Sequence, residues 1–260
     1  MLSIVIAAYN EERRIGESLV SIDKYLKARN GDAEIIVVDD GSTDHTSQVV
    51  AEYKSEIKNL KIIRYPVNSG KGYALRQGVL QAGGELILLT DADLSTPIEE
   101  LSRLEACIVN DNYDIVIGSR ALDYSEIIEK QPWWRQAMGK IFNRIVRFVV
   151  LDGFSDTQCG FKLFTRETAK NLFEQARVDR FAYDVEILFL ARRQGYSVLE
   201  MPVKWINSPG SKVNPVSDSL QMLFDLCKIR LSAGRVKPGN GISATEVTHA
   251  HRSASARRHG

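Results

Sequence analysis

The sequence predicts an α/β fold with a mostly parallel central sheet flanked by helices. Strands and helices alternate through residues 1–120, and the strands are unbroken runs of Ile, Val and Leu. Such strands need cover on both faces, which helices packed on a parallel sheet provide. The 260 residues, 44% hydrophobic and 26% charged, can form one large core or two small ones. This composition excludes collagen, a coiled-coil rod and wholesale disorder.

The first half divides at clear strand, turn and helix signals. Ser42 or Thr43 is the expected N-cap of the second helix, and Pro97 suits the first turn of the fourth. Strands are predicted over 3–8, 34–40, 60–65, 85–93 and 113–120. Helices are predicted over 11–28, from the cap at 42–43 to about 57, within 68–82 after a Gly-rich turn, and over about 97–109.

The pattern changes after residue 120 but remains that of a folded protein. Helices are predicted over about 135–150, 166–175, 182–194 and 216–231, with a loop and strand within 155–164 and a strand over 196–205. Residues 232–260 lack apolar periodicity and are rich in Ser, Ala, Gly and His, so we expect a disordered tail there. The prediction is one domain over 1–231.

Opposite charges are unevenly distributed along the chain. Residues 1–120 hold 13 basic and 19 acidic residues, a net −6, whereas residues 121–260 hold 21 and 14, a net +7. The second half is therefore the expected contact for phosphates, phospholipid or another anionic partner, and uneven surface solvation is the alternative. Nucleic acid is not an expected partner.

The cysteines and the apolar runs indicate the compartment. Cys107, Cys159 and Cys227 are widely separated and match no metal-ligand spacing, which favours free thiols in a reducing compartment. The first residues lack the positive region of a signal peptide. No apolar run approaches the ~20 residues of a spanning helix. We therefore expect a soluble or peripheral protein. His45 is the only His before the tail, so a His-based active site is not expected.

Polar clusters follow four of the predicted parallel strands. They are Tyr9-Asn10-Glu11, Asp39-Asp40, Asp91-Ala92-Asp93 and Ser119-Arg120. Ligands of such sheets bind outside the carboxyl ends of the strands, so the clusters are expected in one crevice. The Asp91/Asp93 pair would suit Mg²⁺ or Mn²⁺, with phosphate oxygens as further ligands. The alternatives are a turn with helix caps at Asp91-Ala92-Asp93 and a simple turn after Asp39.

The glycine-rich turn at 68–72 is not a standard phosphate loop. It lacks the spacing of a P-loop, and no GxGxxG follows the first strand, which disfavours a dinucleotide-binding protein.

In combination, the motifs are similar to those of the inverting GT-A glycosyltransferases of family 2. The motifs of the first half are Tyr9-Asn-Glu-Glu12, Val38-Asp-Asp-Gly-Ser42, Asn68-x-Gly-Lys-Gly72, Asp91-Ala-Asp93 and Gly118-Ser-Arg120. The second half resembles the dolichyl-phosphate β-glucosyltransferases, and the polyprenyl-phosphate mannose synthases are close relatives of that group. Its motifs are Asp156-Thr-Gln-Cys-Gly-Phe-Lys-Leu-Phe164, Phe181-Ala-Tyr-Asp-Val-Glu186, Trp205 and Gly210-Ser-Lys212.

The resemblance implies a Rossmann-like GT-A fold, with residues 1–120 as the nucleotide-sugar half and 121–231 as the acceptor half. It implies a nucleotide-sugar donor, a Mg²⁺ or Mn²⁺ cofactor held by Asp91 and Asp93, and a polyprenyl-phosphate acceptor. The implied donor-binding residues are Ala8, Tyr9, Glu11, Asp39, Gly70, Lys71, Asp91 and Ala92. Asp39 is the residue implied to contact the nucleobase. The implied catalytic residues are Asp93, Arg120 and Arg135, with Gln158 and Lys212 as acceptor or phosphate candidates.

The chemistry of the acceptor agrees with a cationic site. A phosphate monoester has a second pKa of ~6 and is already anionic at pH 7, so little base catalysis is needed. Positive charge is needed to offset two anionic partners, and the candidates are Arg120, Arg135, Lys162 and Lys212. Asp184 and Glu186 would be the candidate bases for an alcohol acceptor. Their alternative role is structural, on the surface or in the first turn of a helix.

A membrane surface is the expected setting. The helix predicted over 135–150 has an apolar and a cationic face and follows Trp133 and Trp134, an interfacial pattern. Packing against the core is the alternative. The expected function is inverting glucose transfer from UDP-glucose to a polyprenyl phosphate, peripherally on the cytoplasmic face of a membrane. The alternatives are GDP-mannose as donor, a soluble hydroxyl acceptor, a sugar-phosphate nucleotidyltransferase and a non-catalytic nucleotide-binding module.

Overall fold

The computed structural model describes residues 1–29, 31–128, 144–146, 150, 153–207 and 217–232. Its strands are β1 (Leu2–Ala8), β2 (Ala33–Asp40), β3 (Leu60–Tyr65), β4 (Leu86–Asp91), β5 (Ile115–Ser119), β6 (Glu126–Ile127), β7 (Lys162–Thr165), β8 (Val198–Pro202) and β9 (Lys204–Trp205). Its longer helices are α1 (Ile15–Ala28), α2 (Thr46–Tyr53), α3 (Lys71–Gln81), α4 (Leu101–Asp111), α5 (Arg166–Gln175), α6 (Tyr183–Gln194) and α7 (Ser217–Ser232).

Seven of these strands form the central sheet, in the order β3-β2-β1-β4-β7-β5-β8. All neighbouring pairs are parallel except those of β7, which runs antiparallel to both β4 and β5. The predicted α/β fold with a mostly parallel sheet is therefore confirmed. The strand order reverses direction at β1, which pairs with β2 on one side and β4 on the other. A crevice for ligands is expected at the carboxyl end of such a strand.

Helices cover both faces of the sheet, as the unbroken apolar strands require. Successive residues of β1 point to opposite faces, so Ile4 and Ile6 pack in the layer of α1 and α4, and Val5 packs with α3, α5 and α6. All three side chains are fully buried. Burial on both faces fixes the strand register, because a one-residue slip would exchange the two sets of side chains.

Two predicted element boundaries are wrong because of long-range contacts. The second helix does not begin after a Ser42 or Thr43 cap but at Thr46, whose N–H donates to Asp44 Oδ1 at 2.9 Å. Ser42 is engaged elsewhere, because its Oγ accepts from the Asn10 N–H and its own N–H donates to Asp39. The strand predicted over 196–205 is two strands, since the chain leaves the central sheet after Pro202 and β9 pairs with β6.

Most of the remaining boundaries agree with the prediction, but α1 begins at Ile15 and not at residue 11, and α2 ends at Tyr53 and not near residue 57. Pro97 precedes a 3₁₀ turn over Ile98–Glu100 that leads into α4, and α5 spans the predicted residues. α7 begins within one residue of the predicted helix start. Most of the predicted interfacial helix at 135–150 lies outside the described residues, as do Trp133, Trp134 and the tail after residue 232.

Candidate active site

The polar clusters at the ends of β1 and β2 lie in direct contact. The backbone N–H of Asn10 donates to Ser42 Oγ at 2.9 Å, and Asn10 Oδ1 accepts from the Thr43 N–H at 2.8 Å. Asn10 has a φ of +55°, a left-handed conformation that Asn tolerates better than most residues. Ala8 is buried at the end of β1, and Tyr9 and Glu11 are half-buried beyond it. The first two strand ends therefore form one surface.

Asp39 and Asp40 fix the loops that border this surface. Asp39 is fully buried, and its carboxylate accepts from the Ser42 N–H at 2.9 Å and from Ser47 Oγ. Asp40 accepts from the backbone N–H groups of Ser69 and Gly70 at 2.9 and 2.7 Å, so it anchors the glycine-rich turn. Burial raises the pKa of Asp40 even though both N–H groups favour its charged form.

The glycine-rich turn needs glycine for steric reasons. Gly70 has a φ of +113°, and a Cβ there would overlap the carbonyl oxygen of Asp179. The turn thus packs tightly against the segment before α6. It directs Lys71, the first residue of α3, toward the end of β4.

Lys71 and Asp91 join the glycine-rich turn to the Asp91-Ala92-Asp93 motif. Lys71 Nζ lies 2.6 Å from Asp91 Oδ1. Burial opposes the charge of both groups, but their mutual attraction outweighs it. The pKa of Lys71 is raised by Asp91 and Asp184, and the pKa of Asp91 is lowered by Lys71, Lys162 and Arg120. These nearby cations therefore hold Asp91 in its charged carboxylate form.

Asp93 lies beside a second cation, which sequence analysis missed. Arg14 Nη1 is 3.2 Å from Asp93 Oδ2, and the same guanidinium donates to Glu11 at 2.6 and 2.7 Å. Arg14 thus links the loop after β1 to Asp93 of the candidate metal-binding motif. Ala92 between the two acids is buried, and its carbonyl accepts from Ser18 Oγ at 2.7 Å. The spacing of Glu11 and Arg14 was the available signal, since these residues are neighbours one turn apart.

The donor chemistry of Asp91 and Asp93 fits a hard divalent cation. Across the ranges that the structure describes, no group of three or more His, Cys, Asp or Glu side chains is arranged to hold a metal ion. Mg²⁺, however, is usually bound by one or two carboxylates together with substrate phosphates and water. Side-chain exposure of 35% for Asp91 and 18% for Asp93 leaves carboxylate oxygens accessible at the strand end.

Arg120 is bonded to a carboxylate that was not among the predicted site residues. Its backbone N–H, Nε and Nη2 donate to Asp156 at 3.1, 2.7 and 2.9 Å, and the guanidinium lies 5.7 Å from the Trp205 ring centroid. Burial opposes the charges, yet the pair raises the pKa of Arg120 and lowers the pKa of Asp156 to about 2. Glu200 supports Asp156 by accepting from its N–H at 2.7 Å.

The loop over residues 156–160 connects this ion pair to the Asp91 carboxylate. The Gln158 N–H donates to Asp156 Oδ1 at 3.1 Å, which places the predicted acceptor candidate two residues from the Arg120 partner. Gly160 packs on Asp91 so closely that a Cβ would overlap the carboxylate. The predicted residues Asp91, Arg120 and Gln158 are therefore brought together by one loop.

Asp184 and Glu186 do not occupy the positions of free bases. Asp184 is buried in an ion pair with Lys162 Nζ, which also donates to the carbonyl of Cys159. Glu186 accepts from the N–H groups of Arg177 and Val178 and so holds the segment before α6. Burial raises the pKa of Glu186, partly offset by those two N–H groups. Both acids lie in the first turn of α6, as one form of the structural alternative predicted, and they are buried and not on the helix surface.

Two predicted site residues, Arg135 and Lys212, lie outside the described residues. Within the described ranges no helix is both long enough and apolar enough to cross a bilayer.

Comparison with known proteins gives a family. A model of glycosyl transferase family 2 matches residues 3–173. The chain is 39% identical to the human dolichyl-phosphate beta-glucosyltransferase, over 88% of this chain and 75% of the relative. It is 37% identical to the Dictyostelium discoideum dolichyl-phosphate beta-glucosyltransferase, over 88% of this chain and 73% of that protein.

Solved structures give the fold. One is glucosyl-3-phosphoglycerate synthase from Mycobacterium tuberculosis in complex with Mn²⁺ and UDP-glucose, with a TM-score of 0.66 and 17% identity over 91% of this chain and 80% of that one. Another is S. aureus TarS in complex with UDP-GlcNAc, with a TM-score of 0.57 and 20% identity over 90% and 70%. These structures confirm the predicted GT-A fold.

The family model and the curated relatives together show that the chain is a glycosyltransferase of glycosyl transferase family 2 and belongs with the dolichyl-phosphate beta-glucosyltransferases.

Proposed function

We propose that this enzyme transfers glucose, with inversion, from UDP-glucose to a polyprenyl phosphate of the dolichyl type. The observation behind the proposal is the charge of the site: Lys71 and Arg120 surround Asp91, while the two acids that could have served as bases are bonded elsewhere. Such a site suits an acceptor that is already anionic. The curated relatives, named for dolichyl phosphate and glucose, support the same substrates.

The donor would bind across the ends of β1, β2 and β4. Asp39 and the loop that contains Asn10 would border the nucleobase of the donor. Ala8, Tyr9 and Glu11 would lie beside them. Gly70, Lys71, Asp91 and Ala92 lie nearer the diphosphate. The carboxylate oxygens of Asp39 already accept hydrogen bonds from Ser42 and Ser47. Asp39 would therefore contribute mainly by holding the loop against which the nucleobase packs. Lys71, kept charged by Asp91, is placed to donate to a diphosphate oxygen.

Asp93, together with Asp91, would hold the divalent ion. When bound, Mg²⁺ or Mn²⁺ would supply positive charge at the diphosphate leaving group. The protein's own residues balance the remaining charge, because Arg14 pairs with Asp93 and Lys71 with Asp91.

The transfer itself is a single displacement. An oxygen of the acceptor phosphate bonds to the anomeric carbon while the bond from that carbon to the diphosphate oxygen breaks, and UDP leaves with the electron pair. Because the attacking oxygen has no proton to lose, no general base is required. Arg120 faces the acceptor phosphate with a guanidinium oriented by Asp156, and Gln158, Arg135 and Lys212 are the further phosphate candidates.

A donor and acceptor panel tests this proposal. The purified chain, with Mn²⁺, is given radiolabelled UDP-glucose, GDP-mannose or UDP-GlcNAc together with a polyprenyl phosphate or the matching polyprenol. The prediction is transfer from UDP-glucose to the phosphate and none to the alcohol, which differs only by lacking the anionic nucleophile. Preference for GDP-mannose would indicate a mannose synthase, and transfer to the alcohol would contradict the assignment of the acceptor.

The proposed setting is the cytoplasmic face of a membrane, with peripheral attachment. A polyprenyl phosphate presents its phosphate at the bilayer surface, so the enzyme must approach that plane. The wide separation of Cys107, Cys159 and Cys227 in the sequence supports a reducing compartment for this proposal.

A further inference from the structure

Helix α7 has two apolar faces, and only one of them packs against the part of the protein that the structure describes. Met222, Leu226 and Ile229 are buried in the core next to α6. On the other side, Leu220, Phe224 and Leu231 are 64%, 60% and 82% exposed. These three residues, together with the exposed Cys227, follow one another at intervals of four, three and four residues, so they form one stripe along the helix.

The charged residues around this stripe are cations. Lys228 and Arg230 are exposed, and Lys228 Nζ lies 4.5 Å from the Phe224 ring centroid. Asp225, the acid among residues 220–231, is buried and accepts from Lys228 at 3.1 Å and from Gln221 at 3.2 Å. The exposed side chains described on α7 are therefore apolar or basic.

Single exposed apolar residues are normal, but an ordered stripe of them on one helix marks an interaction surface. We propose that the stripe of Leu220, Phe224, Cys227 and Leu231, with Lys228 and Arg230 beside it, binds the surface of a bilayer that contains anionic lipid. An apolar face flanked by cations and aromatic residues is the usual composition of an interfacial helix. The idea that the acceptor is a lipid rests on the proposed function. The binding surface is inferred from the exposed residues of α7 alone.

Charge complementarity favours anionic lipid over a second copy of this chain. Two α7 stripes facing each other would place the flanking cations of both copies along one contact, a like-charge arrangement that does not arise with anionic headgroups. The stripe is one face of a four-turn helix, small beside the ~800 Å² per partner of a stable interface. The chain after the helix adds charge of the same sign, since residues 233–260 hold five Lys and Arg and one Glu.

Vesicle sedimentation of the full chain tests the surface without any substrate. The wild type should bind phosphatidylcholine vesicles that contain phosphatidylglycerol, and it should bind pure phosphatidylcholine vesicles less, with salt weakening the difference. Phe224→Ser combined with Leu231→Ser should reduce the partition by at least about tenfold, because two large apolar contacts are lost. Arg230→Glu should weaken binding to the anionic vesicles alone.

Matched variants control for any change to the exposed surface. Val20→Ser with Val109→Ser removes two exposed apolar side chains from α1 and α4. Lys58→Glu reverses an exposed charge that is distant from α7 in the sequence. These variants should sediment like the wild type. Equal vesicle binding by the α7 variants and the wild type would overturn the proposal. A wild-type dimer that the α7 variants abolish, with vesicle binding unchanged, would assign the stripe to contact between copies instead.

Activity assays separate this inference from the proposed function. Transfer to a short, water-soluble prenyl phosphate should be the same in the α7 variants and the wild type. Transfer to a long polyprenyl phosphate embedded in vesicles should fall in parallel with vesicle binding. Absence of transfer to either acceptor by the wild type would refute the proposed function and leave the sedimentation result intact.

Discussion

Asp156 positions Arg120 by accepting three hydrogen bonds from it, one of them from the backbone. The carboxylate is in turn oriented by the Gln158 N–H of its own loop, and Glu200 holds that loop by accepting from the Asp156 N–H. Arg120 Nη1 takes no part in these bonds, so the guanidinium can be held rigidly and still donate to a phosphate. A lysine at position 120 would keep the charge but lose this forked geometry.

The depressed pKa of Asp156 predicts acid sensitivity. Its pKa is about 2 in the folded protein against an ordinary 3.8, so the unfolded chain binds the proton more readily. The resulting stabilisation, about 2 kcal/mol, is complete above pH 5 and is lost as the pH falls from there toward 2. Asp156→Asn should be less stable at pH 7 and should lose less stability over that range. Urea unfolding at several pH values measures this, and parallel pH profiles for the two proteins would contradict it.

Asp93 is predicted to be needed for the metal and not for the fold. Asp93→Ala should reduce kcat/KM by at least about 100-fold, since charge at the diphosphate is lost. It should also weaken Mn²⁺ binding in the presence of UDP, measured by electron paramagnetic resonance, while its circular dichroism spectrum is preserved. Asp111→Ala, at an exposed position at the end of α4, is the matched control. Wild-type Mn²⁺ binding by Asp93→Ala would move the metal site elsewhere.

At the scale of elements, the loop between Asp156 and β7 sets the position of Asp91. Gly160 lies against that carboxylate with no room for a methyl group. Gly160→Ala should therefore displace Asp91 and reduce kcat/KM for UDP-glucose about 10- to 100-fold. Gly83→Ala is the control, because its new methyl would meet the flexible end of Met1 at 3.1 Å and Glu34 Oε1 at an ordinary contact distance of 3.5 Å. Kinetics of the two variants measure the effect, and equal values would show that the contact with Gly160 is not needed.

The element boundaries show where sequence patterns suffice. Apolar runs predicted the parallel strands, because burial on both faces leaves little choice of residue. The start of α2 was missed because Ser42 has the chemistry of a cap but is held by Asn10, more than 30 residues away. The break between β8 and β9 was missed because the partner that draws Lys204 and Trp205 away is β6. Both errors arise from long-range contacts that local patterns do not contain.

For the molecule as a whole, the predicted sheet topology was the main basis for grouping the site residues. The rule that ligands bind at the carboxyl ends of parallel strands placed Tyr9, Asp39, Asp91 and Arg120 together before any contact was known. The charge partners Arg14, Asp156 and Lys162 were not predicted as such, because pairing depends on side-chain positions. The division at residue 120 stays a prediction, but β7 from the second half lies between β4 and β5 of the first. The two halves thus share one sheet.

The pH dependence of glucose transfer tests the central claim, that a cationic site uses a phosphate acceptor without a general base. Lys71 and Arg120 have raised pKa values and Asp91 a lowered one, despite the opposing effect of burial, so all three stay charged between pH 5 and 9. The one titration expected in kcat/KM for polyprenyl phosphate is then that of the acceptor, with a pKa of ~6. The rate should rise through that value and stay level to pH 9. A second ionisation of the free enzyme near neutrality, which acted as a base and vanished in Asp184→Asn, would contradict the account.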